Sequence, residues 1–164
     1  MTIANVPWFW PGILVSAVAA LHLAGLVSRA FGVRPAVAGA LIFTLGVILS
    51  ATLTPLRDAV EFGLLGTGTC DLSRFGLAPL SEISHVNDTS LNILLFIPLG
   101  IVTAFLPPGK MVVVGLLPLA IEAIQLFAPA LARGCQSADV VDNATGLVLG
   151  LCCGLVGRRF HRSA

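Results

Sequence analysis

Charged residues are scarce in this chain, and their scarcity excludes an ordinary soluble domain. Asp, Glu, Lys and Arg make up 10% of the 164 residues, against about 25% in a typical soluble protein. The net charge of +1 gives no basic surface for a nucleic-acid partner. At this length there is no room for a second domain of ordinary size, so we expect one domain over residues 1–164.

Common catalytic motifs are also lacking. The sequence contains no nucleotide-binding loop and no serine-nucleophile motif. Glu82, His85 and Asp88 lie close together but match no metal-binding spacing. We therefore predict no metal and no cofactor. These absences leave an enzyme possible, because lipid-modifying membrane enzymes need none of these motifs.

Long apolar stretches fill most of the sequence, of which 57% is hydrophobic. An uncharged stretch of about 20 residues is long enough to cross a bilayer core. We predict an all-α, polytopic membrane bundle with five transmembrane helices, at about residues 10–28, 35–56, 91–106, 111–127 and 139–157. Residues 57–90 are polar and glycine-rich and are predicted to form an external loop.

The first apolar stretch, with Trp8 and Trp10 near its start, is predicted to be a retained helix with an interfacial anchor. It lacks the basic start of a cleaved signal peptide.

Basic residues orient the predicted bundle, because Lys and Arg accumulate on the cytoplasmic side. A cytoplasmic carboxyl terminus leaves only Arg57, Arg74 and Arg133 outside. It places the other six inside, namely Arg29, Arg34, Lys110, Arg158, Arg159 and Arg162. We therefore predict an external amino terminus.

Polar residues interrupt the last three predicted spans. An amide or carboxylate inside hydrocarbon is costly and usually faces the protein interior or a polar cavity. Glu122 and Gln125 are three residues apart and share a helical face. In the predicted orientation, all these residues lie at the outer side, so we predict one outer-leaflet pocket. Its residues are Asn92, Glu122, Gln125, Arg133, Asp139 and Asn143.

Below this pocket, small residues follow the same face of the last span. Gly146, Gly150 and Gly154 continue the spacing set by Asp139 and Asn143. Such a stripe lets a neighbouring helix approach closely, so we predict that it is a packing surface.

The acidic residues have two interpretations each. Glu122 is a candidate catalytic acid or base, or a structural carboxylate bound to Arg133 or Asn143. Asp139 is a candidate catalytic group, but at the start of a helix its expected role is an amino-terminal cap.

The remaining pocket residues also have both functional and structural interpretations. Arg133 could hold a phosphate or carboxylate, or pair with Asp139 or Glu122, which we favour. Asn92, Asn143 and Gln125 could hold a ligand, and we expect hydrogen bonds between helices from them.

The four cysteines divide by predicted side. Cys70 and Cys135 are external, where a disulfide can persist, whereas Cys152 and Cys153 lie in the inner half of the last span. We hypothesise a Cys70–Cys135 disulfide, since these are the external pair.

Three motifs in order resemble the VanZ-like membrane protein family over about residues 72–157. They are NILLFIPLG from Asn92, IEAIQ from Ile121, and an Arg-Asp-Asn-Gly series from Arg133 to Gly146. Cys135 and Asp142 fall outside that pattern. The family is named for a protein associated with teicoplanin resistance. The resemblance therefore implies a multi-pass protein of the bacterial plasma (inner) membrane, associated with glycopeptide response.

Two classes of function follow from the pocket. In one, the protein is an enzyme on a lipid-linked envelope substrate, with Glu122 as general acid or base and Asp139 orienting. Arg133, Asn92 and Asn143 would then hold an anionic head group. In the other, it binds membrane lipid, a lipid-linked cell-wall precursor or a glycopeptide without turnover. A small proton-coupled carrier that uses Glu122 is a less favoured third.

Overall fold

The computed structural model describes residues 6–163, with side chains through residue 160, and is mostly helical (73%). Residues 1–5, which begin the first predicted stretch, Ala164 and the side chain of Arg162 lie outside this range. The helices are α1 (Phe9–Phe31), α2 (Pro35–Thr52), α3 (Arg57–Phe62), α4 (Leu80–Ile83), α5 (Asp88–Thr103), α6 (Pro108–Gly115), α7 (Leu117–Phe127) and α8 (Ser137–Ser163). Two short strands, β1 (Cys70–Asp71) and β2 (Cys135–Gln136), pair in parallel.

Four segments in the described part of the chain are long and apolar enough to cross a membrane. They are α1, α2, α6 together with α7, and α8 as far as Phe160. The remaining apolar helix, α5, has 16 residues, or about 24 Å of helix. The sequence predicted five spans, so the structure supplies four candidates and one shorter helix.

The start of α5 is fixed by a capping box. The Asn87 side chain accepts a hydrogen bond from the Ser90 backbone N–H at 2.9 Å, and the Ser90 hydroxyl accepts one from the Asn87 backbone N–H at 3.0 Å. Such reciprocal bonds satisfy N–H groups that lack a partner within the helix. The helix therefore starts at Asp88, three residues before the predicted span, and Asn92 lies in its second turn.

Glycines allow α5 and α8 to pack backbone to backbone. A side chain at Gly146 would clash with the Ile93 carbonyl, and one at Gly150 would clash with the Ile97 carbonyl. Gly154 lies against Ile101 in the same way. The glycine stripe is thus a packing surface, as the sequence predicted.

The first two spans form a hairpin in which glycines face small side chains. Gly32 ends α1 in a left-handed conformation (φ 67°). Gly12 faces the Ser50 side chain, and Gly46 faces Ser16. Two small residues thus meet at each crossing, which lets the helices approach closely.

The predicted fourth span is interrupted at Leu116, between α6 and α7. Pro118 follows in the first turn of α7, where its missing backbone N–H has no helical partner to lose.

The residues 57–90 contain α3, β1 and α4 and are tied to the start of α8. β1 pairs with β2, and a disulfide joins Cys70 to Cys135. Arg74 Nη2 donates to Asp142 Oδ2 at 2.5 Å, and the Ser137 hydroxyl donates to the Arg74 carbonyl at 2.8 Å. These contacts hold the segment over one end of the bundle.

The opposite end of the bundle carries most of the basic residues. Lys110 Nζ lies 4.7 Å from the centre of the Phe31 ring, and Arg158 donates to the Ala104 carbonyl at 2.6 Å. These contacts join the ends of α1, α5, α6 and α8. We call this the basic end, and the end that carries the disulfide the pocket end.

Candidate functional site

All six polar residues predicted to share a pocket line one cavity, of about 370 Å³, at the pocket end. Asn92 comes from α5, Glu122 and Gln125 from α7, and Asp139 and Asn143 from α8. Arg133 comes from the segment between α7 and α8. Every element that the sequence predicted to line the pocket thus supplies residues to this cavity.

The face of α7 is held by two hydrogen bonds. Glu122 is 4% exposed, and its Oε2 accepts a hydrogen bond from the Gln136 backbone N–H at 2.8 Å. Gln125 Nε2 donates to the Thr52 carbonyl at the end of α2, at 2.9 Å. The predicted partners of Glu122 were Arg133 and Asn143, whereas this bond goes to backbone.

Asp139 links α8 to α5. Its Oδ1 accepts a hydrogen bond from Asn92 Nδ2 at 2.8 Å, which is the interhelical bond expected of Asn92. Because α8 begins at Ser137, Asp139 lies inside the first turn. The predicted cap position is therefore wrong, although a carboxylate in the first turn still interacts favourably with the helix dipole.

Arg133 is a buried cation at the cavity wall. It is 7% exposed, and its Nε donates to the Thr54 carbonyl at 2.9 Å. Burial lowers the pKa of its guanidinium to about 10, against the opposing effect of the Asp139 and Glu122 carboxylates. The group is therefore cationic at neutral pH and lies within electrostatic reach of both acids.

Two amide oxygens at the cavity wall lack a hydrogen-bond partner among the described residues. They are Gln125 Oε1 and Asn143 Oδ1, in residues that are 6% and 1% exposed. The orientation of Gln125 is fixed, because its Nε2 must face the Thr52 carbonyl, which can only accept. Buried polar atoms normally have partners, so each oxygen is an unused acceptor in a residue that lines the cavity.

The cavity also has an apolar wall, to which the first two helices contribute. Phe9 of α1 and Ala51 of α2 line it, together with Val6, Leu56, and Leu91 and Leu95 of α5. Sequence reasoning missed this contribution from the amino-terminal half. The available signal was topology, because the start of α1 and the end of α2 lie at the same side as the pocket.

Asp142 and Arg74 form an ion pair beside the cavity that sequence reasoning also missed. Asp142 is 1% exposed. The hydrogen bond that its carboxylate accepts from Arg74 raises the pKa of the Arg74 guanidinium. A charged residue one turn inside an apolar span was the signal that could have found it.

The disulfide between Cys70 and Cys135 lies at the edge of the site. The Cα atoms of the two cysteines are 4.5 Å apart. Cys135 lies between the cavity-lining residues Gly134 and Gln136, so the bond anchors the segment that carries Arg133. Cys152 and Cys153 are free, exposed thiols on α8.

The acids and His85 of the external loop lie outside the cavity, apart from Asp88. The ring of His85 contacts the Ser81 carbonyl at 2.8 Å. No group of three or more His, Cys, Asp or Glu residues that could hold a metal occurs among the described residues.

Residues 41–158 match the model of the VanZ/LLP1 family. The match begins in α2, ends in α8 and contains all six predicted pocket residues. It confirms the resemblance carried by the three sequence motifs. No curated protein and no solved structure matches the chain.

Proposed function

The chain belongs to the VanZ/LLP1 family and has the apolar helices of a membrane protein, and from this premise we propose a role in the bacterial cell envelope. The protein resides in the plasma (inner) membrane, where its pocket binds or modifies a lipid-linked or anionic ligand. The observation that carries this proposal is the convergence of six polar residues on one cavity. Burying so many polar groups inside an apolar bundle is costly, and ionisable groups in such a position are by default candidates for a functional site.

The pocket opens on the outer side in this proposal. The basic end, with Arg29, Arg34, Lys110 and Arg158, faces the cytoplasm by the positive-inside rule. Close packing of α5 on α8 supports a position of α5 within the bilayer as a fifth span. The amino terminus is then external.

The chemistry of the wall suits an amphiphile. Arg133 supplies a cation for a phosphate or carboxylate, and the apolar wall accommodates hydrocarbon. Glu122 is the candidate acid or base, with Asp139 orienting and Asn92 and Asn143 holding the head group.

Binding without turnover is the second candidate. Both acids already accept hydrogen bonds, Glu122 from the Gln136 backbone and Asp139 from Asn92. Carboxylates engaged in this way favour a fixed wall over a proton shuttle. In this case the protein shields or presents its ligand.

Teicoplanin resistance is the phenotype that tests the proposal, because the family resemblance implies it. Cells expressing wild type, Glu122→Gln or Glu82→Gln are compared at equal protein abundance in the membrane. Glu82 is an exposed carboxylate outside the cavity, so its substitution is the matched control. We expect resistance from wild type and Glu82→Gln and its loss with Glu122→Gln.

The other outcomes separate the alternatives. Resistance retained by Glu122→Gln would make Glu122 a structural carboxylate and favour binding without turnover. A wild type that gives no resistance would refute the link to teicoplanin.

A further inference from the structure

The cavity contains more acid than base. Asp88, Glu122 and Asp139 line it, and Arg133 is the basic residue in its lining. The lining thus holds three carboxyl groups and one guanidinium. A purely anionic ligand would match Arg133 but would meet three carboxylates.

The unused hydrogen-bonding groups of the wall are acceptors, which favour a cationic donor as the acidic residues do. Gln125 Oε1 and Asn143 Oδ1 are buried acceptors without a partner among residues 6–160. Glu122 and Asp139 each accept one bond through a single oxygen, and a carboxylate can accept several. The residues of the wall therefore have unused acceptors that the donors of a ligand could satisfy.

The lining thus combines a cation, an acidic and acceptor-rich region, and an apolar wall. We propose that the pocket takes the head group of a zwitterionic amino-lipid. Its phosphate faces Arg133, its primary ammonium donates to the acceptor-rich region, and its hydrocarbon lies along Phe9, Leu91 and Leu95. This inference rests on the proposed function and names the ligand class of the same site.

A primary ammonium is specified by the acceptors as well as by the charge. It has three donors, whereas a trimethylammonium has the same charge and none. The difference in affinity between these two head groups therefore measures hydrogen bonding to the amide and carboxylate oxygens. The difference in affinity between either of them and a glycerol head group measures the effect of the acidic residues on a positive charge.

The test is a binding titration of the purified full chain by native mass spectrometry. The probes are short-chain phosphatidylethanolamine, phosphatidylcholine and phosphatidylglycerol with identical acyl chains. We expect phosphatidylethanolamine to bind about tenfold more tightly than phosphatidylcholine, the factor of one charge-assisted hydrogen bond. Phosphatidylglycerol should bind weakest.

Variants locate the binding. Asp139→Asn, which keeps an oxygen for Asn92, should reduce the preference for the ethanolamine head group, whereas Glu61→Gln, at an exposed site on α3, should not. The comparison of head groups on wild type needs no variant, so a variant that misfolds leaves the test intact.

Two failures are distinguishable. Equal binding of all three lipids, or tighter binding of phosphatidylglycerol, would overturn the amino-lipid inference and leave the lipid site in place. Binding of none of the three would also overturn the lipid-linked ligand of the proposed function.

Discussion

At the scale of single residues, the Arg74–Asp142 pair makes the clearest stability prediction. Asp142 is almost fully buried, so Arg74→Met leaves its carboxylate without its cation. We expect a loss of about 3 kcal/mol in the free energy of unfolding, since breaking a buried ion pair is strongly destabilising. Unfolding in detergent micelles measures it.

The matched control is Arg57→Met. Arg57 pairs with Glu61 on the surface, with both side chains 52% exposed, so we expect a change below about 1 kcal/mol. The double variant Arg74→Met/Asp142→Asn should recover part of the loss. Equal effects of Arg74→Met and Arg57→Met would contradict a buried pair.

The burial of Arg133 predicts a pH dependence in Arg133→Lys. The burial that lowers the pKa of the guanidinium also lowers the pKa of a lysine below its ordinary value of about 10.4. The unfolded chain then binds more protons than the folded one in mildly alkaline solution. The stability of the variant should rise with pH up to about 10, by linkage.

Melting temperatures between pH 7 and about 10, taken relative to wild type, measure this effect. Arg133→Met has no titrating group at this position and should follow wild type. A melting temperature of Arg133→Lys that falls over this range would place residue 133 in a site that stabilises its charge.

At the scale of the elements, the contact between α5 and α8 depends on glycine. Gly146→Ala and Gly150→Ala would each place a methyl group against a backbone carbonyl of α5. We expect each to lower the free energy of unfolding by about 1–3 kcal/mol through overpacking.

Gly157→Ala in the same helix is the control. Nothing lies within 4 Å of a side chain there, and alanine favours a helix by up to about 1 kcal/mol. The control should therefore be neutral or slightly stabilising. Equal loss of stability in all three variants would show that replacing any glycine of α8 is destabilising, and that the close contact with α5 is not the cause.

At the scale of the whole molecule, the disulfide joins the external loop to the pocket. Cys70 and Cys135 are 65 residues apart in sequence, and closing so long a loop stabilises a chain by about 2–4 kcal/mol. Cys70→Ser/Cys135→Ser should lose that amount. In unreduced protein, maleimide should spare Cys70 and Cys135 and should modify both after reduction; alkylation of both in unreduced protein would rule out the disulfide.

The sequence predicted most of the helical stretches and six polar residues of the cavity, because apolar runs and interrupting polar groups are local features. It did not predict the first residue of α5, because a capping box between Asn87 and Ser90 determines where that helix begins. Nor did it find the Arg74–Asp142 pair, since residues 68 positions apart meet only once the loop folds over α8. The apolar wall from α1 and α2 was missed for the same reason.

The central claim is that the pocket faces the outside of the cell, and sidedness tests it most directly. Single cysteines are introduced at Ser81, near the pocket, and at Gly109, at the basic end, with Cys152→Ala and Cys153→Ala in both. Intact cells are treated with a membrane-impermeant maleimide, and lysed cells provide the control. We predict that Ser81→Cys reacts in intact cells and Gly109→Cys only after lysis; the reverse pattern would place the pocket in the cytoplasm and contradict an envelope ligand.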